Sequence, residues 1–435
     1  MRTSFTAGQL ADPAMAASEA VIRKCVHCGF CTATCPTYVL LGDELDSPRG
    51  RIYLMQDMLE GERMPTPEVV KHIDRCLSCL SCMTTCPSGV NYMHLVDHAR
   101  AYIQKTYRRP AAERLFRRLL AAVLPYPNRF RLAGRLAPLA KPFIRLFSGI
   151  PALQPLAAML RLAPARLPAP APAKDARIAA PVGKVALLQG CVEPVLKPAF
   201  RAAAVRLLNR AGYDVLFAPG EGCCGALVHH MGQEAASLAA ARRNVDAWWR
   251  LIEGEGLDAI LITASGCGTT IKDYGFMLRA DPQYAEKAAR VSALAKDISE
   301  FLSTCSLPPG NGRGLTAAYH AACSLQHGQQ VVDVPKQLLT QAGYTVRLPT
   351  EAHLCCGSAG TYNILQPEIA NQLGDRKAAN IARLGADVIA TGNIGCATQI
   401  GLRTETPVVH TIELLDWATG GPAPDSMNFS KAETI

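Results

Sequence analysis

Cys25-Val-His-Cys28-Gly-Phe-Cys31-Thr-Ala-Thr-Cys35-Pro36 and, 51 residues on, Cys76-Leu-Ser-Cys79-Leu-Ser-Cys82-Met-Thr-Thr-Cys86-Pro87 decide how this chain folds. Both place two, two and three residues between successive cysteines and a proline after the fourth. Three thiolates in so tight a loop reach three irons of one cube, with backbone N–H groups turned toward the sulfides. The chain then leaves on a helix, and the fourth cysteine points at the neighbouring cube. This spacing assigns one [4Fe–4S] cluster to Cys25, Cys28, Cys31 and Cys86, and a second to Cys76, Cys79, Cys82 and Cys35. Structural zinc ribbons are the competing reading, but they want separated Cys-x2-Cys pairs rather than four cysteines in eleven residues.

The rest of the 435-residue chain is consistent with reduced thiols. Seventeen cysteines in a secreted chain would be paired, yet residues 1–20 lack the apolar core of a secretory signal. No run of 18 uncharged apolar residues is present to span a bilayer. Spaced cysteines in a reducing compartment bind metal or do redox chemistry. Between the two motifs, Ser47-Pro48 and Thr66-Pro67 read as caps of two helices, so residues 1–107 form a helical two-cluster ferredoxin domain. Arg49 and Arg51 stand either near the cluster charge or on a solvated helix face.

Residues 108–181 are a basic, Pro/Ala-rich connector in which prolines permit only short helices, with an extended stretch at 163–174. Arg108 to Arg177 holds 14 Lys/Arg against two acids, a net +12 that leaves the remainder at −3 of the total +9. A charge confined to one segment argues for one docking surface and against a nucleic-acid binder.

Residues 182–312 and 313–420 are copies of one unit, followed by a tail at 421–435. Cys191 precedes Cys223 by 32 residues and Cys323 precedes Cys355 by 32; each second cysteine opens a Cys-Cys-Gly. Ala211-Gly-Tyr213 matches Ala342-Gly-Tyr344, and Cys267 matches Cys396 at the end of aligned apolar runs. Each copy reads strand, helix, strand, helix, strand, the pattern of parallel α/β units. The fold class is therefore α plus α/β. The cysteines follow strands, and α/β sheets bind ligands at those ends. Cys191, Cys223, Cys224 and Cys267, and Cys323, Cys355, Cys356 and Cys396, are candidate ligands for a further iron–sulfur centre or for zinc. Cys305 falls outside the pattern and reads as structural. His229, His230, His320 and His353 flank these cysteines and read by default as hydrogen-bonded loop residues. Gly220-x-Gly222-x-x-Gly225 imitates a dinucleotide loop, but the second copy keeps only Cys-Cys-Gly there. No catalytic triad, P-loop or HExxH is present, and no residue is assigned a catalytic role.

The motif from Cys25 to Pro36, with Leu40-Leu-Gly-Asp-Glu-Leu-Asp-Ser-Pro-Arg-Gly-Arg-Ile-Tyr53, Ser265-Gly-Cys-Gly-Thr-Thr270 and Cys355-Cys-Gly-Ser-Ala-Gly-Thr-Tyr362, resembles the iron–sulfur subunits of bacterial glycolate oxidase. The resemblance implies the non-flavin subunit of an oxidoreductase complex, carrying electrons from two flavin-binding subunits that oxidise glycolate to glyoxylate toward a quinone or another acceptor. It also implies a cytoplasmic protein, peripheral on the inner face of the membrane where it meets quinone. The second half is similar to the Cys-Cys-Gly domains of heterodisulfide reductase and of glycerol-3-phosphate and lactate dehydrogenase systems. Those relatives supply the alternatives, a thiol–disulfide enzyme among them. Heterodisulfide reductase uses a fifth cysteine per site; here Ala264 and Asn393 stand in its place, which favours four-thiol sites.

Overall fold

The computed structural model describes residues 1–427; the last eight positions of the tail lie outside the described residues. The N-terminal hundred residues contain helices and no strand. Helices Pro13–Lys24, Pro48–Glu60, Pro67–Asp74 and Tyr92–Thr106 surround the two cysteine loops. Their inward faces bury Ile22, Met55, Leu59, Ile73, Leu95 and Ile103. Two of the starts are the expected Ser-Pro and Thr-Pro caps: Ser47 Oγ accepts from Gly50 N, and Thr66 Oγ1 from Val69 N. Each such cap contributes about 1 kcal/mol.

The connector helices are longer than their prolines suggest, with Ala111–Val123 and Pro127–Ala140 spanning 13 and 14 residues. Pro127 opens its helix, where a missing N–H costs nothing, and Pro138 falls in the last turn. After Gln154–Leu162 the chain runs extended to the first sheet.

Each repeat builds its own four-stranded parallel sheet. The first contains β1 (Gly183–Leu187), β2 (Tyr213–Leu216), β3 (Ala259–Ile262) and β4 (Ala295–Asp297), in the order β2-β1-β3-β4. The second contains β5 (Thr316–His320), β6 (Thr345–Arg347), β7 (Val388–Thr391) and β8 (Val408–His410), in the order β6-β5-β7-β8. The registers correspond: Val185 pairs with Val215 and Ala259, and Ala317 with Val346 and Val388. All four residues of β3 and of β7 are buried, as in parallel sheets covered by helices on both faces. The edge strands β4 and β8 escape a sequence reading because each is three residues long and runs straight into a helix with no turn signal between them. Val185, Leu187 and Leu207 share one core with Tyr319, Leu339 and Ile412, so the two units pack as a pair. The ends of β3 and β7 meet: Ser265 N donates to Gly392 O, and Asn393 Nδ2 to Ser265 Oγ.

Candidate metal centres

The two cysteine loops have the same backbone. His27 and Gly29 in the first, and Ser78 and Leu80 in the second, all have positive φ at equivalent positions. Leu80 holds φ 63°, a conformation costly for a branched side chain, in a place where the first loop uses glycine. Such turns bring successive cysteines to one side. One cavity is lined by Cys25, Cys28, Cys31 and Cys86, and also by Cys82. A second is lined by Cys35, Cys76, Cys79 and Cys82. Each thus takes its fourth thiol from the other motif.

The surroundings of these cavities are polar in a way that suits a charged inorganic group. Tyr92 lines both cavities, and its buried hydroxyl has no protein partner. A hydroxyl so placed fits hydrogen bonding to a sulfide, although nothing in the local sequence of Tyr92 marks it. Arg51 is 1% exposed and lies beside the second cavity. Its guanidinium donates to Cys35 Sγ at 3.8 Å, Thr37 Oγ1 at 3.0 Å, His72 O at 2.6 Å and Asp46 Oδ1 at 3.1 Å. Arg49, by contrast, pairs with Glu44 at the surface. Arg49 nonetheless lines the first cavity, so each cavity has one arginine at its wall, buried and bonded to Cys35 Sγ in the case of Arg51, and half-exposed in the case of Arg49. Asp43, Asp46 and His72 also cluster, but Asp46 is consumed by Arg51, Arg75 and His72 and has no call for a cation.

In the paired sheets eight of the nine remaining cysteines form two sets, one per sheet. Cys223 Sγ accepts from Gly225 N at 3.5 Å, and Cys355 Sγ from Gly357 N at 3.4 Å. Both glycines have φ near +90° (+89° and +86°), and a Cβ at Gly357 would stand 2.5 Å from Ala370 O. Contacts with Cys191 and then Cys224 pull the Cys223 thiol down to about 3, while contacts with Cys355 and Cys396 pull Cys356 well below its ordinary value. The same contacts and burial push Cys191 and Cys224, and Cys355 and Cys396, up, so each set holds one favoured thiolate among thiols that a bound cation would have to deprotonate. Cys305 lies apart, with Sγ on Phe301 O and its side chain against the core.

The histidines divide. His229 pairs with Asp97 at 3.1 Å, His230 stands 4.0 Å from the same carboxylate, and His353 is half-buried. His320 departs from the loop-histidine expectation. It ends β5, is 1% exposed, and neither ring nitrogen has a hydrogen-bond partner. It groups with Cys356 and Cys396 within 4.8 Å, a spacing that suits shared metal ligation. The second set also touches the ferredoxin part: Cys79, Cys355 and Tyr362 share a buried cluster, with Cys323 packed against it.

Sequence comparison matches residues 24–90 to the 4Fe-4S dicluster domain, and residues 185–272 and 317–401 to the cysteine-rich domain. The glycolate oxidase iron–sulfur subunit of Escherichia coli K12 is 41% identical over 96% of this chain and 99% of its own length. A "probable glycolate oxidase iron-sulfur subunit" of Bacillus subtilis is 32% identical over 92% of this chain and 95% of its own. Lactate utilization protein A of Bacillus licheniformis matches 54% of the chain at 28% identity. A crystal structure of a hypothetical protein from Helicobacter pylori shares the fold, with a TM-score of 0.58 at 11% identity, covering 98% of this chain and 76% of its own.

Proposed function

The chain belongs to the family of glycolate oxidase iron–sulfur subunits, and from that premise we propose how its residues serve electron transfer. It is the iron–sulfur electron-transfer subunit of an oxidoreductase complex acting on glycolate, and it works with catalytic partner subunits. Cys25, Cys28, Cys31 and Cys86 hold one [4Fe–4S] cluster; Cys76, Cys79, Cys82 and Cys35 hold the other. The exchange of the fourth thiol between the two cavities carries this reading. When bound, such clusters supply one-electron transfer at potentials set by charge and hydrogen bonds. Arg51 and the Ser78 N–H on Cys76 Sγ are this chain's own means of raising them. The cysteine-rich half holds at least one further thiolate-bound centre.

The partners are two flavin-binding subunits that oxidise glycolate, with electrons passing through this chain to a quinone or another acceptor. Among the described residues no helix is long and apolar enough to cross a membrane. The protein works in the cytoplasm, peripheral to the membrane. The test is iron, sulfide and zinc quantitation with EPR on protein purified without oxygen. Cys76→Ser is expected to abolish cluster reduction by glycolate while the flavin subunits stay bound. Undiminished electron flow in that variant would overturn the role given to the second motif.

A further inference from the structure

In the connector, Leu132, Leu136, Leu139, Phe143, Leu146 and Ile150 are spaced 4, 3, 4, 3 and 4 residues apart. On a continuous helix this spacing keeps them within an arc of about 80°. The segment is nearly continuous: helix Pro127–Ala140 runs into a 3₁₀ turn and then helix Ile144–Ser148. A helix of a folded protein normally turns such a stripe to the core. Here all six side chains are 41–74% exposed, and neither helix buries a single residue. Apart from the Phe143 ring, which lies 6.2 Å from that of Phe147, the stripe does little packing within this chain, and an exposed apolar row of this length marks a contact surface.

The charges beside it say what it contacts. Residues 127–150 carry five Lys/Arg and no acid, and none occurs anywhere from 114 to 174, where eleven Lys/Arg lie. Some of these cations are used internally: Arg117 binds Asp74, and Arg131 caps the carbonyls of Pro168 and Pro194. Among the described contacts, Arg135, Lys141 and Arg145 have no acidic partner. The same 3–4 spacing would suit a partner helix as well, so the charges decide. A protein surface would be expected to offer charges of both signs. A single-sign cationic rim around Leu and Phe is the signature of a helix lying in the plane of an anionic bilayer.

We infer that residues 127–150 form an interfacial anchor, which sinks the Leu132–Ile150 stripe into the headgroup boundary of an anionic membrane and leaves Arg135, Lys141 and Arg145 at the phosphates. This rests on the electron-relay reading only for its purpose, which is to hold the relay near a lipid-borne acceptor. Binding is measured without electron flow, so the two stand or fall separately.

The test uses the full-length holoprotein, purified without oxygen, in co-sedimentation with vesicles. It is expected to bind vesicles of phosphatidylcholine with phosphatidylglycerol and to bind pure phosphatidylcholine at least about tenfold more weakly. Leu136→Gln, Leu139→Gln and Phe143→Gln together should lower binding to the anionic vesicles at least about tenfold, with the cluster absorbance unchanged. In a second measurement, Phe143→Trp should shift its emission to the blue on anionic vesicles. Wild-type protein that ignores those vesicles, a triple variant that binds as wild type, or a Trp emission that does not move would each overturn the inference. So would a triple variant that keeps vesicle binding but loses its catalytic partner subunits, since the stripe would then be a protein contact.

Discussion

The two cysteine-rich repeats share strand order, register and the Cys-Cys-Gly turn, yet they meet the ferredoxin part by different chemistry. Repeat one meets it through charge: His229 binds Asp97, His94 binds Asp273 at 2.8 Å and stacks on Phe276, and Lys105 binds Glu234. Repeat two meets it through sulfur and apolar surface. Leu77 and Cys79 pack with Cys355, Tyr362 and Leu373, and Tyr362 Oη donates to Arg75 O across the same seam. Their interiors differ as well. Three residues before the first cysteine stands Leu188 in one copy and His320 in the other; five before the last stand Ile262 and Thr391. His320 pairs in register with Thr391, whose buried hydroxyl also lacks a partner. Leaving buried polar atoms unpaired costs about 1–3 kcal/mol, a cost absent from the Leu188–Ile262 version of the same fold. One copy of the duplicated scaffold serves as a clamp, and the other packs against Cys79.

The comparison is broken most directly by removing one thiol from each copy. Cys355→Ser is expected to slow electron flow from the catalytic partner to acceptor at least about tenfold, and Cys224→Ser to leave it within about twofold, because Cys355 and Cys323 border Cys79. Stopped-flow reduction of the intact complex measures both; equal losses would erase the distinction. Next in size is the exchange of the interior residue. His320→Leu should lower the midpoint potential of the repeat-two centre on the order of 100 mV, since imidazole ligation raises it. Leu188→His should leave that centre unmoved. A redox titration followed by EPR decides, and an unchanged potential in His320→Leu would return His320 to a packing role.

The smallest effect concerns the clamp. Burial disfavours charged His229, but Asp97 outweighs it and raises the imidazole above its ordinary value; burial opposes Asp97 too, yet His229 and His230 bring that carboxyl down to about 2. A raised histidine contributes its full stability below its ordinary value and loses it as pH climbs through the raised one. A depressed carboxyl contributes above its ordinary value and loses stability as pH falls toward about 2. The repeat-one junction should therefore hold at mildly acidic pH and loosen in alkali, and the repeat-two seam, whose Thr84–His327 contact is a hydrogen bond and not an ion pair, should not loosen in alkali. Asp97→Asn should cost about 3 kcal/mol near pH 6 and progressively less in alkali. Hydrogen exchange in residues 92–106, compared with the seam around Tyr362, reads both junctions at once, and a pH-independent junction would contradict the ion-pair account.

Much of this was legible along the chain because the signals are local. The spacing of Cys25 to Pro36 dictates a loop, Ser47-Pro48 dictates a helix start, and the 32-residue intervals dictate a duplicated α/β unit. Each is a short-range rule acting within one turn or one strand–helix unit. The edge strands β4 and β8 carry no such signal, because each runs straight into a helix without a turn between them.

What the sequence by itself determined is which atoms can bind metal and how each local turn presents them, since loop spacing sets the reach of a thiol. Only the tertiary structure decided which of them meet. It drew Cys86 and Cys35 into each other's cavities, buried Arg51 at one cavity and left Arg49 half-exposed at the other, set repeat two and not repeat one against Cys79, and turned the Leu132–Ile150 stripe outward. These are contacts between residues far apart in the chain, governed by which surfaces exclude water together, and no local pattern encodes that choice.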